Sequence, residues 1–198
     1  RFVDEAVSYH EFTRGMYRSH RSVPSIPAWL VCDRRFVWKY GLGMIRPLTW
    51  RLGPYLRAGY LHADDSVAGL AAKIGVDPAG LVETVRRHNE FARAGADADF
   101  GKGGNAYDLA NGDPTHRPNA CLGPIGAPPF CAVAVVPTPL GTSLGLRTDA
   151  DGRVCDDTGR PIGGLYACGN DMHSPLGGEY PGAGAQIGAA MTFAYVAA

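Results

Sequence analysis

The sequence predicts a mixed fold, part α+β and part α/β. Three observations carry that prediction. Two helix patterns follow one another across residues 66–95. An uninterrupted apolar run, Phe130 to Val136, suits a buried strand. The last forty or so residues alternate short strand patterns with turns and end in a helix whose start is all glycine and alanine.

In chain order, Phe2 to Arg18 reads as a strand end turning into a helix, with Tyr9, Phe12 and Met16 near helical spacing. Pro24 to Leu56 is rich in aromatics and prolines, with Trp29, Trp38, Tyr40, Trp50 and Tyr55 among Gly41, Gly43 and Pro47. It has no clear period and predicts a folded loop region with a short strand at Ala28 to Asp33. Such an aromatic cluster serves either as core or interface, or as the lining of a large apolar pocket. From Ser66 the pattern is helical: Val67, Leu70, Ala71 and Ile74 share a face and Gly75 suits the helix end. Asp77-Pro78 restarts a helix as N-cap and first turn. Leu81, Val85, His88 and Ala92 line one face of it, and Gly95 closes it. Gly101 to Pro124 reads as irregular. Gly145 to Asp149, the turn Asp151-Gly152 and Arg153 to Cys155 predict a hairpin. Asp157 to Gly159 turns the chain again before a short buried strand around Leu165. A boundary falls near Pro137 to Thr142, with helices and loops before it and short strands and a ligand-facing helix after it.

Composition bounds the possibilities. A chain of 198 residues with 45% hydrophobic and 19% charged residues is one large domain or two small ones of ordinary globular type. Formal net charge is zero, with 19 Lys+Arg against 19 Asp+Glu, so no basic stripe calls for nucleic acid. No apolar run reaches spanning length. The five cysteines, Cys32, Cys121, Cys131, Cys155 and Cys168, have no C-x-x-C spacing, which argues for free thiols, a cytoplasmic setting and no metal site. The six histidines show no ligand spacing, and His173 reads as a loop residue.

The tail from Ile162 to Gly188 holds the strongest chemical signal. Glycines let backbone N–H groups approach a ligand closely, and a helix start favours negative charge developing beside it. No Lys or Arg follows Arg160, so this end offers dipoles and hydroxyls, suited to a large planar ligand of modest charge. Tyr180, fixed in an extended backbone by Pro181, reads either as a hydroxyl donor to a carbonyl or as an aromatic plug under the loop. Gly184 reads either as a close-packing residue or as a second, backbone donor beside it.

Gly164-Leu-Tyr-Ala-Cys-Gly-Asn170, followed by Glu179-Tyr-Pro-Gly-Ala-Gly184, resembles the C-terminal part of the 3-ketosteroid Δ1-dehydrogenases. These are flavoproteins of the wider fumarate reductase and succinate dehydrogenase superfamily. The resemblance extends to Arg1 through Tyr9, to Asn111-Gly-Asp-Pro114 and to Pro128-Pro-Phe130, and so covers nearly the whole chain. It implies part of a substrate (cap) domain over residues 1–137, then the C-terminal strands and helix of an FAD-binding domain over 138–198. The Rossmann half is expected elsewhere, because no strand here leads into G-x-G-x-x-G. Arg1-Phe2-Val3 opens directly as a strand without an initiator Met. The chain therefore reads as the C-terminal part of a longer enzyme, inactive and unable to hold FAD tightly alone; the other reading is a complete protein with a cleaved leader.

By resemblance, Tyr180 and Gly184 hold the C3 carbonyl of a ketosteroid. Tyr9 takes the C2 proton, and the C1 hydride passes to flavin N5. A phenol of ordinary pKa, about 10, needs activation for this, and the family supplies a further tyrosine from its N-terminal half. By spacing alone Tyr9 is a half-buried helix aromatic. The flavin side is expected at Gly169, Asn170, Gly184, Gln186 and Ile187. Related flavoproteins often have Glu where Asn170 stands, so Asn170 departs from the superfamily and agrees with the steroid branch. Two other readings stand beside this one: a fumarate reductase-like enzyme acting on a dicarboxylate, and a non-catalytic remnant of the fold.

Overall fold

A computed structural model describes all residues, Arg1 to Ala198. They form two compact units, one of Arg1–Val7 with Arg14–Pro137, the other of Ser8–Thr13 with Thr138–Ala198. Helix α1 (Tyr9–His20) begins in the second and continues in the first.

The first unit is built on a three-stranded antiparallel sheet of β1 (Ala28–Asp33), β2 (His62–Asp64) and β3 (Phe130–Val135), in the order β1-β3-β2. The apolar run is the central strand. Its alternation feeds two cores. Ala132 faces Leu70 and Ile74 with Trp29, Val31 and Phe130, while Cys131 and Val133 face Cys32, Val37, Leu42, Ile45 and Leu61.

The stretch expected as loop contains two helices, α2 (Arg34–Tyr40) and α3 (Gly53–Arg57). For α2, Asp33 is the start signal: its Oδ1 accepts from Phe36 N–H at 2.9 Å, and Oδ2 accepts from Gly126 and Ala127 N–H, both at 3.0 Å. Aromatics on several sides of a seven-residue helix hid its period. The two predicted helices form as α4 (Val67–Ile74), capped by Ser66, and α5 (Pro78–Ala94), capped by Asp77. Each ends at a left-handed glycine, Gly75 at φ 71° and Gly95 at φ 75°. The irregular segment after α5 carries one short helix, α6 (Ala106–Asn111), capped by Asn105.

No strand forms at Arg1 to Val3, contrary to the sequence expectation. Charge anchors the segment instead of a ladder. Arg1 donates to Glu5 at 2.7 Å and to Asp97 at 2.6 Å, and its guanidinium lies over the Phe100 ring. Burial raises the Asp97 pKa, but the Arg1 hydrogen bond and the Asp99 and Lys102 N–H groups outweigh it and hold the group at about 2. Asp4 behaves oppositely. Burial pushes it up to about 6 against the Ala6 N–H bond, and the facing Asp108 carboxyl adds to the rise. Asp108 is almost fully buried. Gly103 N–H and Asn105 reach its Oδ2 at 2.9 Å, while Oδ1 is buried without a hydrogen-bond partner.

In the second unit, β4 (Arg153–Cys155) pairs antiparallel with β5 (Pro161–Tyr166) across the turn at Asp156 to Arg160. The hairpin expected one turn earlier reduces to a single bridge, Thr148 to Val154. There the Asp149 carboxylate accepts from the Asp151 and Arg153 N–H groups at 3.0 Å and tightens the turn. Strand β5, expected to be buried, is exposed along its length, because β4 is its sole partner and nothing in the chain covers its faces. The core of this unit is small: Val154, Ala167 and Met172, with Cys168 and Phe193 against them. Helix α7 (Ala185–Ala197) ends the chain. All five cysteines are free.

Candidate active site

Tyr9 is the first residue of α1, and Ser8 fixes it there. The Ser8 Oγ accepts from Glu11 N–H at 3.3 Å and its carbonyl from Phe12 N–H at 2.9 Å, the bonds of an N-cap. At the other end of the unit the loop before α7 folds back through two turns. Gly177 N–H donates to Ser174 O at 3.0 Å and Glu179 N–H to Leu176 O at 3.1 Å. Gly177 and Gly178 supply the positive φ this path needs.

The result is that Tyr9 and Tyr180 meet, with ring centroids 4.8 Å apart and planes tilted by 36°. Rings this close are in contact, so a ligand meets the pair at its edges and hydroxyls rather than between the rings. Each tyrosine has a polar chain neighbour in the same place: His10 Nε2 and Glu179 Oε2 stand 3.7 Å apart, with the Glu11 carboxylate beside them. Sequence reading missed this group, since neither His10 nor Glu179 belongs to a spacing motif.

Gly184 is the N-cap of α7 at φ 90°, with no side chain capping the helix. A Cβ there would touch nothing within 4 Å, so the backbone conformation, and not crowding, demands glycine. The N–H groups of Gly184, Gln186 and Ile187 meet no acceptor in the chain. Gly169 is demanded on both counts: its φ is 61°, and a Cβ would come within 2.9 Å of the Ala190 Cβ. Asn170 follows it in a 3₁₀ turn after β5, and its backbone carbonyl accepts from Thr142 Oγ1 at 2.8 Å. Gln186 Nε2 reaches back to Thr142 O at 3.5 Å. Gly141 is tight against this group: a Cβ on it would lie 3.0 Å from Asn170 Nδ2. The 141–143 strip is a second part of the site that sequence reading passed over as a domain boundary. A cleft of about 670 Å³ runs from Asn170 along Leu144, Leu146, Tyr166 and Cys168.

The chemistry of this donor set is specific. It combines orphaned backbone N–H groups at a helix start, a side-chain amide and small residues that keep the approach open. It fits the flavin and ribitol end of FAD, which presents carbonyl oxygens and hydroxyls and takes negative charge on reduction. Asn170, Gln186, Ile187 and Gly184 are the residues that would hold it. His173 lies exposed outside this group.

Comparison with known proteins places the chain in a family. Residues 1–187 match the profile of a family described as the FAD binding domain. The chain is 42% identical to a 3-oxosteroid 1-dehydrogenase of Mycobacterium tuberculosis, covering 100% of this chain and 36% of that protein. It is 40% identical to a 4-oxocyclohex-2-ene-1-carboxylate 5-dehydrogenase of Sinomonas cyclohexanicum, covering 98% of this chain and 33% of that one. Among solved structures, the 3-ketosteroid Δ1-dehydrogenase of Sterolibacterium denitrificans, in complex with 1,4-androstadiene-3,17-dione, superposes with a TM-score of 0.94 at 44% identity, over 100% of this chain and 36% of that one. A flavocytochrome c3 fumarate reductase covers 100% of this chain and 30% of that one, at 23% identity and a TM-score of 0.58, a likeness of fold alone. The chain thus spans about a third of the length of these proteins.

Proposed function

The chain belongs to the FAD binding domain family, and from that premise we propose that it is part of a dehydrogenase that desaturates a carbon–carbon bond beside a ketone, with a 3-ketosteroid as substrate. Residues 1–137 serve as part of its substrate domain and residues 138–198 as the closing segment of its FAD-binding domain. The observation that carries the reading is the meeting of Tyr9 and Tyr180 next to an uncapped helix start.

The Tyr180 hydroxyl and the Gly184 N–H donate to the C3 carbonyl oxygen. As the C2 proton leaves, charge accumulates on that oxygen, and two fixed donors stabilise it more than they stabilise the ketone. The proton goes to the Tyr9 oxygen, which must be a phenolate to accept it. The activating group is the further tyrosine that the family resemblance implies from its N-terminal half. When bound, FAD supplies the acceptor for the hydride that leaves C1, and the electron pair of the broken C2–H bond becomes the new double bond.

A dicarboxylate substrate is disfavoured: it needs cationic clamps, and no Lys or Arg follows Arg160. The relative that acts on an oxocyclohexene carboxylate supports a second reading, in which the substrate is a monocyclic ketone handled by the same two donors. A non-catalytic remnant would lack a bound-flavin spectrum.

Anaerobic stopped-flow separates these readings in the intact protein. A 3-ketosteroid should bleach the flavin and succinate should not; bleaching by 4-oxocyclohexanecarboxylate alone moves the substrate to the smaller class. Tyr180→Phe keeps the ring and removes the hydroxyl, so flavin reduction should slow by about a hundredfold to a thousandfold with little change in melting temperature. A reduction rate near that of the wild type makes Tyr180 a packing residue.

A further inference from the structure

The strip from Gly141 to Leu146 forms no helix or strand, yet it is pinned along its length to residues 170–174. Thr142 Oγ1 donates to Asn170 O at 2.8 Å, and Leu146 N–H donates to Asp171 O at 2.8 Å. In the other direction, His173 N–H donates to Leu146 O at 2.7 Å and Ser174 N–H to Ser143 O at 2.9 Å. Packing is as close as the bonding. A Cβ on Gly145 would fall 2.2 Å from Asp171 O, so none fits. All of these groups lie in the second unit.

At Thr142 the strip meets two side-chain amides from different elements. Its hydroxyl holds the backbone of the turn that carries Asn170, and its carbonyl accepts from Gln186 Nε2, at the start of α7, at 3.5 Å. Gly141 lies against the same two amides. A Cβ on it would stand 3.0 Å from Asn170 Nδ2 and 3.6 Å from Gln186 Nε2. Its φ lies outside the left-handed region, so close approach alone asks for glycine. Thr142, Asn170 and Gln186 also line, with Tyr180, a cavity of about 20 Å³, so the strip, both amides and the tyrosine loop close around one space. A side-chain amide carries two N–H donors and an oxygen. Holding one N–H of Gln186 on a fixed carbonyl sets the plane of that amide, and with it the direction of the groups that remain.

We propose that Thr142 is a positioning residue for the flavin end of the site. Its hydroxyl and carbonyl fix the Asn170 turn and the Gln186 amide together, and Gly141 lets the two amides sit side by side. Donors set in place beforehand bind more tightly than mobile ones, because less rotamer freedom is lost on binding. Thr142 spends its own hydroxyl proton on Asn170 O, so it acts through the amides and not on the cofactor. The proposal rests on Asn170 and Gln186 facing the flavin, as the proposed function has them. It uses contacts inside one unit and no exposed surface.

The test uses the intact protein and reads the FAD dissociation constant, from flavin fluorescence as the apoprotein is reconstituted. Thr142→Val keeps the shape and removes the hydroxyl, so FAD affinity should fall about threefold to tenfold, the range of one hydrogen bond. Thr142→Ser keeps the hydroxyl and should bind FAD as the wild type does. Gly141→Ala crowds the amides without touching the hydroxyl and should weaken FAD to a similar extent. In a protein already carrying Asn170→Ala and Gln186→Ala, adding Thr142→Val should change FAD affinity little, because the groups it positions are gone. An equal loss in that background makes Thr142 a packing residue and overturns the proposal. Wild-type affinity in Thr142→Val overturns it as well. Should Thr142→Val fail to fold, Gly141→Ala compared in the same two backgrounds decides the matter. If Asn170→Ala with Gln186→Ala leaves FAD affinity unchanged, the flavin-side assignment itself fails, and this proposal falls with it.

Discussion

Helices α4 and α7 are about equally apolar on average, yet they are used in opposite ways. α4 gathers its apolar residues on one stripe and buries Leu70, Ala71 and Ile74 against the sheet. α7 spreads them round its circumference and buries none: Ile187, Met191 and Tyr195 are all exposed. A stripe serves one packed face, whereas an all-round apolar helix is the pattern of an element covered on every side. The N-termini differ in the same sense. Ser66 caps α4 by accepting from Gly69 N–H at 3.0 Å, while Gly184 leaves the α7 start open. One helix is finished by its own unit. The other presents both its flank and its N–H groups to something else, which under the proposed function is FAD and the protein around it.

The strongest way to break this comparison is to truncate one side chain on each helix. Leu70→Ala removes a fully buried side chain and should cost ~2–5 kcal/mol in urea unfolding of this chain. Ile187→Ala should stay within about 0.5 kcal/mol. Equal losses would mean that α7 is packed as α4 is.

Smaller effects come from the N-terminal anchor of the first unit. Asp4 titrates at about 6 in the fold against an ordinary 3.8, so the folded state binds the extra proton between those values. Stability should therefore fall as pH rises from about 4 to 6 and stay lower above. Asp97, held at about 2, works the other way: its contribution is complete above the ordinary carboxylate range and is lost as pH falls toward 2. Asp4→Asn should flatten the slope between pH 4 and 6 and raise stability at neutral pH by on the order of 1 kcal/mol. A slope that survives in that variant belongs to another group.

The helix starts give the smallest expected changes. Ser66→Ala should cost about 1 kcal/mol through the lost cap. Gly184→Ala should cost a similar amount, ~1–2 kcal/mol, for a different reason, since it places a Cβ at φ 90°. Melting curves read both. If Gly184→Ala is silent, the left-handed start of α7 relaxes and its open N–H groups are not fixed in place.

Much of this was legible in the sequence. The helices after Ser66 and Asp77 and their closing glycines lie where cap chemistry placed them, and the strand from Ala28 to Asp33 and the apolar run at Phe130 form the sheet. Failures had physical causes. Arg1 to Val3 looked like a strand, but Arg1 found two carboxylates, one of them distant, and no strand partner. α2 was hidden because its aromatics are not confined to a buried stripe. β5 has a buried strand's composition but is exposed, since composition records what a segment can pack against and not whether this chain provides it.

The sequence by itself determined what acts over a few residues: caps, turns, alternation, and the glycine-rich start of α7. Those depend on backbone sterics and on hydrogen bonds to near neighbours. Only the tertiary structure decided which distant groups meet. The Tyr9–Tyr180 contact, the facing carboxyls of Asp4 and Asp108, and the hydrogen bond from Leu48 N–H to Trp38 O each join residues from separate segments. Such pairs are set by how loops close and sheets register, and no local pattern encodes that.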